Sequence, residues 1–286
     1  MLPTLLIAQI SDIHLGFHAT DPAELNRKRL DSVMVALARE PIRPDLILVT
    51  GDLTENGTTE AYRALKAVFD AAPCPVWPLI GNHDDRTHFE AVFDGIRGEG
   101  GFVQYAFDAG PLRFVMLDTI DVGRSGGSFD AARADWLERT LAANDRPTVI
   151  ALHHPPIATG NGWMTEAADA AWIERLRAVV ARHPQVVRLV AGHYHRAMLA
   201  GFAGTTLSVC PATAPQVALD FRDIDPAVAD GRDMVVAESP GFALHYWNGR
   251  ELVTQFGAAG EHPVLARFNA RMQPAVAKTI GERAAP

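Results

Sequence analysis

Five short apolar runs, each followed at once by a cluster of polar residues, constrain the fold of this 286-residue chain more than any other feature. Their length and their content of β-branched residues are typical of buried strands. The runs cover residues 5–10, 46–50, 76–80, 149–152 and 188–191. Amphipathic helical patterns lie at residues 24–40, 59–71, 130–142 and 167–182. This alternation of strands and helices predicts an α/β fold in which helices cover the sheets.

The polar clusters consist of residue types that bind metal ions. They are Asp12-Ile13-His14, Gly51-Asp52, Gly81-Asn82-His83-Asp84, His153-His154-Pro155 and Gly192-His193-Tyr194-His195. A single Asp-x-His is more often a turn or a cap than a metal site. Five such clusters in order, each at the end of a strand, indicate the ligand set of a two-metal site. Imidazole, carboxylate and amide oxygen together suit divalent Mn, Fe, Zn or Co.

The ordered motifs D-x-H, G-D, G-N-H-D, H-H-P-P and G-H-x-H resemble the calcineurin-like metallophosphoesterase superfamily, over residues 8–195. The sequences of residues 51–54, 81–86, 153–156 and 210–217 resemble those of class III cyclic nucleotide phosphodiesterases. They resemble those of bacterial glycerophosphodiesterases equally. Purple acid phosphatases have tyrosine where Glu55 stands, and lipid A precursor hydrolases have arginine where His83 stands. The resemblance implies a four-layer α-β-β-α sandwich of two mixed sheets flanked by helices, with metals at the strand ends.

The resemblance also implies which residues bind the two metal ions. The first ion would be held by Asp12, His14, Asp52 and His195, and the second by Asp52, Asn82, His153 and His193. Asp52 has two oxygens and would bridge both ions. His153 and His154 are adjacent, and relatives with H-S-P or H-G-P at this position favour the first. His154 then has a role behind the ligands or in packing.

Further residues are candidates for substrate contact. The expected mechanism is in-line attack on phosphorus by a hydroxide that bridges the ions, with His83 protonating the leaving alkoxide. Asn82 and His83 are expected to contact the phosphate; alternatively, His83 is hydrogen-bonded to a metal ligand. Asp84 is expected to orient a metal-bound histidine. Arg86 pairs either with substrate or in a structural salt bridge.

The expected activity is hydrolysis of small phosphodiesters, with 3′,5′-cyclic nucleotides such as cAMP favoured. Two ions, two carboxylates and one hydroxide leave about one net positive charge, which suits an anionic ester. Glycerophosphodiesterase activity and a broad phosphodiesterase or phosphomonoesterase activity are the alternatives. A non-catalytic metal-binding scaffold is a remote one, because every ligand position is filled. Trp163 either walls the pocket, stacks on a base or packs in its loop, and His18 is a residue of the pocket edge or the surface.

Composition limits partners and location. A formal charge of −8 argues against a nucleic-acid polymer or an anionic membrane as the main partner. The apolar start lacks a basic region and a cleavage site, so it is interpreted as a first strand and not as a signal peptide. Cys74 and Cys210 are predicted to be free thiols in apolar surroundings, which suits the cytoplasm.

A second group of short strands completes the predicted domain. These strands are predicted at residues 103–107, 112–118, 205–209, 241–247 and 251–255. Asn248-Gly249 joins the last two as a hairpin turn. Residues 1–256 are therefore expected to form the catalytic domain. Residues 257–286 are expected to be a tail that is helical or lies at the interface of a homo-oligomer.

Overall fold

A computed structural model describes residues 4–17, 21, 23–39, 43–96 and 98–283. Its principal strands are β1 (Leu5–Ile10), β2 (Leu46–Thr50), β3 (Val76–Leu79), β4 (Tyr105–Ala109), β5 (Leu112–Leu117), β6 (Thr148–Leu152), β7 (Val186–Ala191), β8 (Met198–Phe202), β9 (Thr205–Val209), β10 (Gln216–Val217), β11 (Val235–Val236), β12 (Gly241–Trp247) and β13 (Leu252–Ala258). Its α-helices are α1 (Leu25–Arg39), α2 (Thr59–Asp70), α3 (Arg86–Glu90), α4 (Ala131–Ala142), α5 (Ala171–Val180) and α6 (Gln273–Arg283). The predicted strands and helices are present, with shifts of a few residues at their ends.

The first sheet has five strands in the order β13-β12-β1-β2-β3. Strands β1, β2 and β3 are parallel, and β12 pairs with β1 in the antiparallel direction. Ile10 pairs with Val49, and Thr50 pairs with Leu79. The three parallel strands therefore end at one edge of the sheet, where the first three polar clusters begin.

The second sheet has six strands in the order β4-β5-β6-β7-β9-β8. Its strands β5, β6, β7 and β9 are parallel, whereas β4 and β8 are antiparallel edge strands. Ala151 of β6 pairs with Val190 of β7. The ends of β6 and β7 thus release the two histidine-rich clusters side by side.

Three apolar clusters hold the layers together. One packs α1, α2 and α3 on the first sheet, a second packs α4 and α5 on the second sheet, and a third lies between the sheets. Strands β2 and β6 are buried at every position because they are covered on both faces, which explains their continuous apolar sequence. This arrangement confirms the predicted four-layer sandwich of two mixed sheets flanked by helices.

Helix ends follow local sequence rules. The side chain of Thr58 accepts a hydrogen bond from the amide of Ala61 at the start of α2, and Asp130 caps α4 in the same way through Arg133. Helix α2 buries Tyr62 and Leu65 on its apolar face. Through this face α2 packs on the first sheet.

The buried side chain of Gln9 connects the first sheet to the second. The Nε2 atom of His245 lies 3.0 Å from Oε1 of Gln9. The side-chain Nε2 of Gln9 in turn donates to Oγ1 of Thr50 and to the carbonyl of Ala191, at 2.9 and 3.0 Å. Gln9 therefore ties together β1, β2 and β7, three strands whose ends carry candidate metal ligands.

The C-terminal segment differs from the rest of the chain. Strand β13 continues to Ala258, two residues past the predicted boundary at 256, and Ala259 is buried. Helix α6 is present, as predicted for the tail, and has no buried residue. The division into a domain and a tail, and the subunit contact of the tail, stay predictions.

Both cysteines are free thiols, with Cys210 buried and Cys74 half-buried. Among the helices of the described ranges, none is both long and apolar enough to span a membrane. His18 lies outside the described residues.

Candidate metal centre

All seven predicted ligands meet where the two sheets present the carboxyl ends of their parallel strands. Donor atoms of Asp12, His14 and His195 lie within 4.8 Å of one another, and so do those of a group that joins Asp12, Asp52 and His153. The Nε2 atom of His153 is 3.2 Å from Oδ1 of Asn82. The ring of His193 lies 5.1 Å from that of His153.

The backbone at these positions is unusual. Five predicted ligands have positive φ angles, and Ala203 is the only other non-glycine residue with one in the described ranges. The five are Asp12, His14, Asp52, His193 and His195, with φ between 47° and 73°. Such conformations cost of order 1–3 kcal/mol each for ordinary residues and concentrate at functional sites. The fold therefore imposes a backbone that turns these side chains toward one point.

Hydrogen bonds from backbone amides connect three ligand loops and maintain this geometry. The amides of Ile13 and His14 both donate to the carbonyl of Asp52 at 2.9 Å. The amide of His193 donates to the carboxylate of Asp12, at 2.9 and 3.0 Å from its two oxygens. The loops after β1, β2 and β7 are thus locked to one another.

Glycines in the motifs permit this close approach. A Cβ atom at Gly81 would overlap Asp52, and one at Gly192 would overlap Ser11 and lie 2.7 Å from Oδ2 of Asp12. Both contacts involve atoms beside or within the ligand set. The glycines that precede Asn82 and His193 are therefore required by space.

The first group of ligands is oriented by residues around it. The Nδ1 atom of His14 contacts Oε2 of Glu55 at 2.8 Å, and Nδ1 of His195 contacts the carbonyl of Pro215 at 2.8 Å. Both rings then direct Nε2 inward, where the two Nε2 atoms are 3.1 Å apart. Burial opposes protonation of His14, but the bond to Glu55 and the charge of Asp52 outweigh it and raise its pKa.

The second group is oriented in the same manner. The Nδ1 atom of His153 contacts the carbonyl of Thr50 at 2.8 Å, and its Nε2 atom lies 3.3 Å from Oδ2 of Asp52. Burial disfavours charge on His153, yet the Asp52 carboxylate raises its pKa to about 9. Burial and the charge of His153 lower the pKa of His193 to about 3. The Asp52 carboxylate favours the charged form of both rings, but at His193 burial and the charge of His153 outweigh it.

The donor set fits two divalent cations. Four imidazoles, two carboxylates and one amide oxygen converge, and within the described part of the chain no lysine or arginine bonds to Asp12 or Asp52. Buried carboxylates without a cationic partner are costly, and metal ions are the usual compensation. Imidazoles whose outer nitrogen contacts a carboxylate or a carbonyl are typical of metal ligands. These ligand types suit Mn, Fe, Zn or Co.

His154 lies next to the ligands, and one of its two ring nitrogens bonds outside the ligand set. Its Nδ1 atom contacts Oγ1 of Thr119 at 2.8 Å, and its Nε2 atom is buried with no hydrogen-bond partner. A nitrogen of His154 also lies within 4.8 Å of those of His153 and His193. Burial, followed by the charges of His193 and His153, lowers its pKa well below the ordinary value. The choice of His153 over His154 as ligand stays a prediction, and it agrees with the direction in which His153 points.

The role predicted for Asp84 is wrong in one respect. Its carboxylate accepts hydrogen bonds from the amides of Leu53, Thr54 and Gly81 and from the hydroxyls of Thr54 and Tyr62, at 2.8–3.1 Å. None of these donors is a histidine. Burial and the nearby Asp52 raise the pKa of Asp84 to about 6. Asp84 therefore holds the loops that carry Asp52 and Asn82, and does not orient a metal-binding ring.

The contacts of Arg86 select one of its two predicted roles, whereas the role of His83 stays a prediction. Arg86 makes a bidentate pair with the buried Asp118, at 2.8 Å on both oxygens, so the structural salt bridge is the observed outcome. The side chain of His83 is 38% exposed, and its Nδ1 atom contacts the carbonyl of Glu55 at 3.1 Å. The amide of His83 donates to Oδ1 of Asp52. His83 thus stands over the ligands with part of its ring open to the cavity.

A cavity of about 880 Å³ lies above the ligands. We call one part of its lining the wall: Ser125, Gly126, Trp163, Met164, Thr165 and Glu166; the lining also includes Phe17, Leu25, Pro215 and Val235. Trp163 is 42% exposed and lines the cavity, so its predicted position at the pocket wall is observed. Stacking of Trp163 on a base stays a prediction.

Sequence reasoning missed the residues that orient the rings. Glu55 was noted only as a departure from purple acid phosphatases, although a carboxylate three residues after a bridging aspartate was a usable signal. The carbonyls of Thr50 and Pro215 could not be predicted from the sequence, because every residue type has a backbone carbonyl. These three groups orient His14, His153 and His195 respectively.

Comparison with known proteins agrees with this geometry. The chain matches the calcineurin-like phosphoesterase family over residues 5–197. It is 28% identical over 256 residues to a probable glycerophosphodiester phosphodiesterase of Arcobacter nitrofigilis, covering 87% of this chain and 91% of that protein. It is 32% identical over 217 residues to a probable cyclic nucleotide phosphodiesterase of a Synechococcus strain, covering 74% and 82% respectively.

The fold is also found in solved structures. A dimetal phosphatase of Danio rerio superposes with a TM-score of 0.65 and 18% sequence identity, over 91% of this chain and 98% of that one. The family match extends over the strands and clusters that form the centre. The chain belongs to the calcineurin-like phosphoesterase family, in the branch that contains cyclic nucleotide and glycerophosphodiester phosphodiesterases.

Proposed function

We propose that this metallophosphoesterase is a dinuclear phosphodiesterase that hydrolyses small phosphodiesters, with 3′,5′-cyclic nucleotides such as cAMP favoured. One observation carries the proposal: seven buried or half-buried candidate ligands converge below a cavity of about 880 Å³, with His83 half-open at its floor. A cavity of that size accommodates a nucleotide or a glycerol ester.

The ligand set would be divided between two ions that share Asp52. When bound, the two ions would activate a water molecule as nucleophile and stabilise negative charge on the phosphoryl oxygens. Asp12, His14 and His195 would complete the first position, and Asn82, His153 and His193 the second. Mn, Fe, Zn and Co remain the proposed ions.

The proposed proton donor is His83, at the floor of the cavity. His83 follows Asn82 directly, its amide is fixed on Asp52, and its ring is open to the cavity. In the proposed reaction the imidazole of His83 donates a proton to the oxygen of the departing alcohol. Asn82 and His83 would also hold the phosphate group in place.

Glycerophosphodiester hydrolysis is the second candidate function. It is favoured by the Arcobacter relative, whose match extends over more of this chain than that of the Synechococcus relative. Among the cavity residues that the structure describes, the charged side chains other than histidine are all carboxylates: Asp21, Glu24, Asp52, Glu55 and Glu166. That lining gives a second phosphate no cationic partner, so one phosphodiester group per substrate is expected.

Location and assembly are proposed from the same reasoning. The free thiols of Cys74 and Cys210 suit a reducing cytoplasm. The exposed apolar side chains of the tail, such as Leu265 and Phe268, are consistent with a homo-oligomer. A nucleic-acid polymer or a membrane is not a proposed partner.

A substrate panel tests the proposal. Protein supplied with Mn is assayed on cAMP, glycerophosphocholine, bis-p-nitrophenyl phosphate and p-nitrophenyl phosphate. The proposal predicts that the diesters are hydrolysed faster than the monoester, and that cAMP is preferred to glycerophosphocholine. Preference for the monoester would overturn the diesterase assignment. Absence of all activity in protein that holds two metal ions would support the scaffold alternative.

A further inference from the structure

The tyrosine inside the last histidine cluster has a role that the metal centre does not use. Tyr194 lies between His193 and His195, but its side chain points into the core of the second sheet and is only 1% exposed. Its hydroxyl donates to the carbonyl of Met164 at 2.7 Å and accepts from the amide of Glu166 at 3.2 Å. One phenol thus bonds to two backbone groups of the cavity wall.

The wall is otherwise bonded mainly to itself. The carbonyl of Asn161 accepts from the amides of Met164 and Thr165, and Oγ1 of Thr165 accepts from the amide of Thr159. These bonds shape loop 159–166 without attaching it to either sheet. Burial raises the pKa of Tyr194 to about 12, so the phenol stays a neutral donor at ordinary pH.

A second segment of the wall is attached through the same loop. The carboxylate of Glu166 accepts a hydrogen bond from the amide of Gly127 at 2.8 Å, next to the cavity residues Ser125 and Gly126. The sequence of contacts runs from Tyr194 to Glu166 and then to Gly127. The Tyr194 hydroxyl therefore links two pieces of wall to the metal-binding cluster, in addition to the bridge that pairs Gly127 with Ile120.

We propose that Tyr194 is a specificity-determining positioning residue: its hydroxyl sets the distance between the metal centre and the wall formed by residues 125–127 and 161–166. The wall, including Trp163, contacts the alcohol groups of the diester and not the phosphate. The inference rests on the proposed phosphodiesterase function. Its consequence is that Tyr194 controls binding of diesters with bulky groups, while small diesters are bound independently of it.

The test variant is Tyr194→Phe, which removes the hydroxyl and keeps the ring in the core. A matched control is Tyr105→Phe, because Tyr105 is half-buried and its hydroxyl likewise donates to a backbone carbonyl, that of Pro78, at 2.7 Å. Tyr105 is not among the residues that line the cavity. Tyr194→Phe loses the bonds to Met164 and Glu166, and Tyr105→Phe loses the bond to Pro78, so each variant removes a hydroxyl that donates to a backbone carbonyl.

Hydrogen exchange supplies a readout that does not need activity. In Tyr194→Phe the amides of residues 163–166 and of Gly127 should exchange about five- to tenfold faster, because the hydroxyl's bonds to Met164 and Glu166 are lost. The same amides should be unchanged in Tyr105→Phe, and both variants should hold two Mn ions. Unchanged exchange at the wall, or loss of metal from Tyr194→Phe, would overturn the inference.

Kinetics with large and small substrates supply the second readout. For bis-p-nitrophenyl phosphate, Tyr194→Phe should raise KM about five- to tenfold, with a smaller change in kcat. For methyl p-nitrophenyl phosphate, KM should stay within about twofold. Equal losses for both substrates would contradict the inference. If the wild-type protein hydrolyses no diester, the proposed function fails, and the exchange measurement still decides the role of Tyr194.

Discussion

The floor and the wall of the cavity are built in opposite ways. On the floor, the ligands follow strands buried between layers, and backbone bonds such as that from His14 to Asp52 lock their loops together. On the wall, Trp163 is 42% exposed in a loop bonded mainly to itself. We therefore assign the chemistry to the residues of the floor, and the choice of substrate to the loops of the wall. The wall can vary without disturbing the metal centre.

Removing a ligand from the floor should have the largest effect. His153→Ala should lose the second ion and lower kcat/KM by about 10³-fold, because that ion stabilises charge in the transition state. His154→Ala is the matched control and should keep both ions with a smaller loss. Metal content by mass spectrometry measures the difference. Two tightly held ions in His153→Ala would show that His153 is not a ligand.

His83 joins the floor to the open cavity, and its effect should depend on the substrate. His83→Ala should slow hydrolysis of a diester with a poor alkyl leaving group by about 10²-fold, and that of an aryl diester only a few-fold. His88→Ala, which changes a neighbouring histidine outside the cavity lining, should leave both rates nearly unaltered. Equal losses for both esters in His83→Ala would argue against a proton donor.

The Glu55→Gln variant tests whether a residue that only orients a ligand contributes to metal affinity. Glu55→Gln should weaken binding of the first ion by about 10- to 100-fold, because the 2.8 Å contact that orients His14 loses its charge. Titration calorimetry with Mn measures this affinity. Glu60→Gln on the exposed face of α2 is the control. Unchanged affinity in Glu55→Gln would confine the metal site to its seven direct ligands.

His245 tests the frame through pH. Burial, with a contribution from Arg188, lowers the pKa of His245 from 6.5 to about 3, so the folded protein keeps this ring neutral while the unfolded chain protonates it. Its contribution to stability is therefore complete above pH 6.5 and is lost as the pH falls toward 3. The free energy of unfolding should decrease by up to about 1.4 kcal/mol per pH unit in that window.

Urea unfolding with chelator present measures this term. The wild-type protein should lose more stability than His245→Gln between pH 7.5 and pH 5. Parallel losses in both proteins would show that the pair of His245 and Gln9 is not the source of the pH dependence.

Sequence was sufficient for the floor because its signals are local. In each cluster a metal-binding residue follows a strand almost directly, and in three clusters a glycine stands before it, so Asp12, Asp52 and His193 could be placed before any contact was known. The choice between the roles of Arg86 could not be made, because Asp118 lies 32 residues away along the chain. The histidine-orienting role of Asp84 was wrong for a similar reason, since its donors come from three separate segments.

The wall was not predictable beyond the presence of Trp163. Its position depends on the contact between Tyr194 and Met164, which are 30 residues apart, and a buried tyrosine looks like any other core residue in sequence. Loops of this kind are defined by long-range contacts and not by periodicity. The substrate is therefore the part of the function that sequence leaves most open.

Anomalous diffraction from crystals grown with Mn tests the central claim most directly. The account predicts two Mn peaks that share Asp52, one beside His14 and His195 and the other beside His153 and His193. A single peak, or two peaks that do not share Asp52, would contradict the dinuclear centre proposed for this chain.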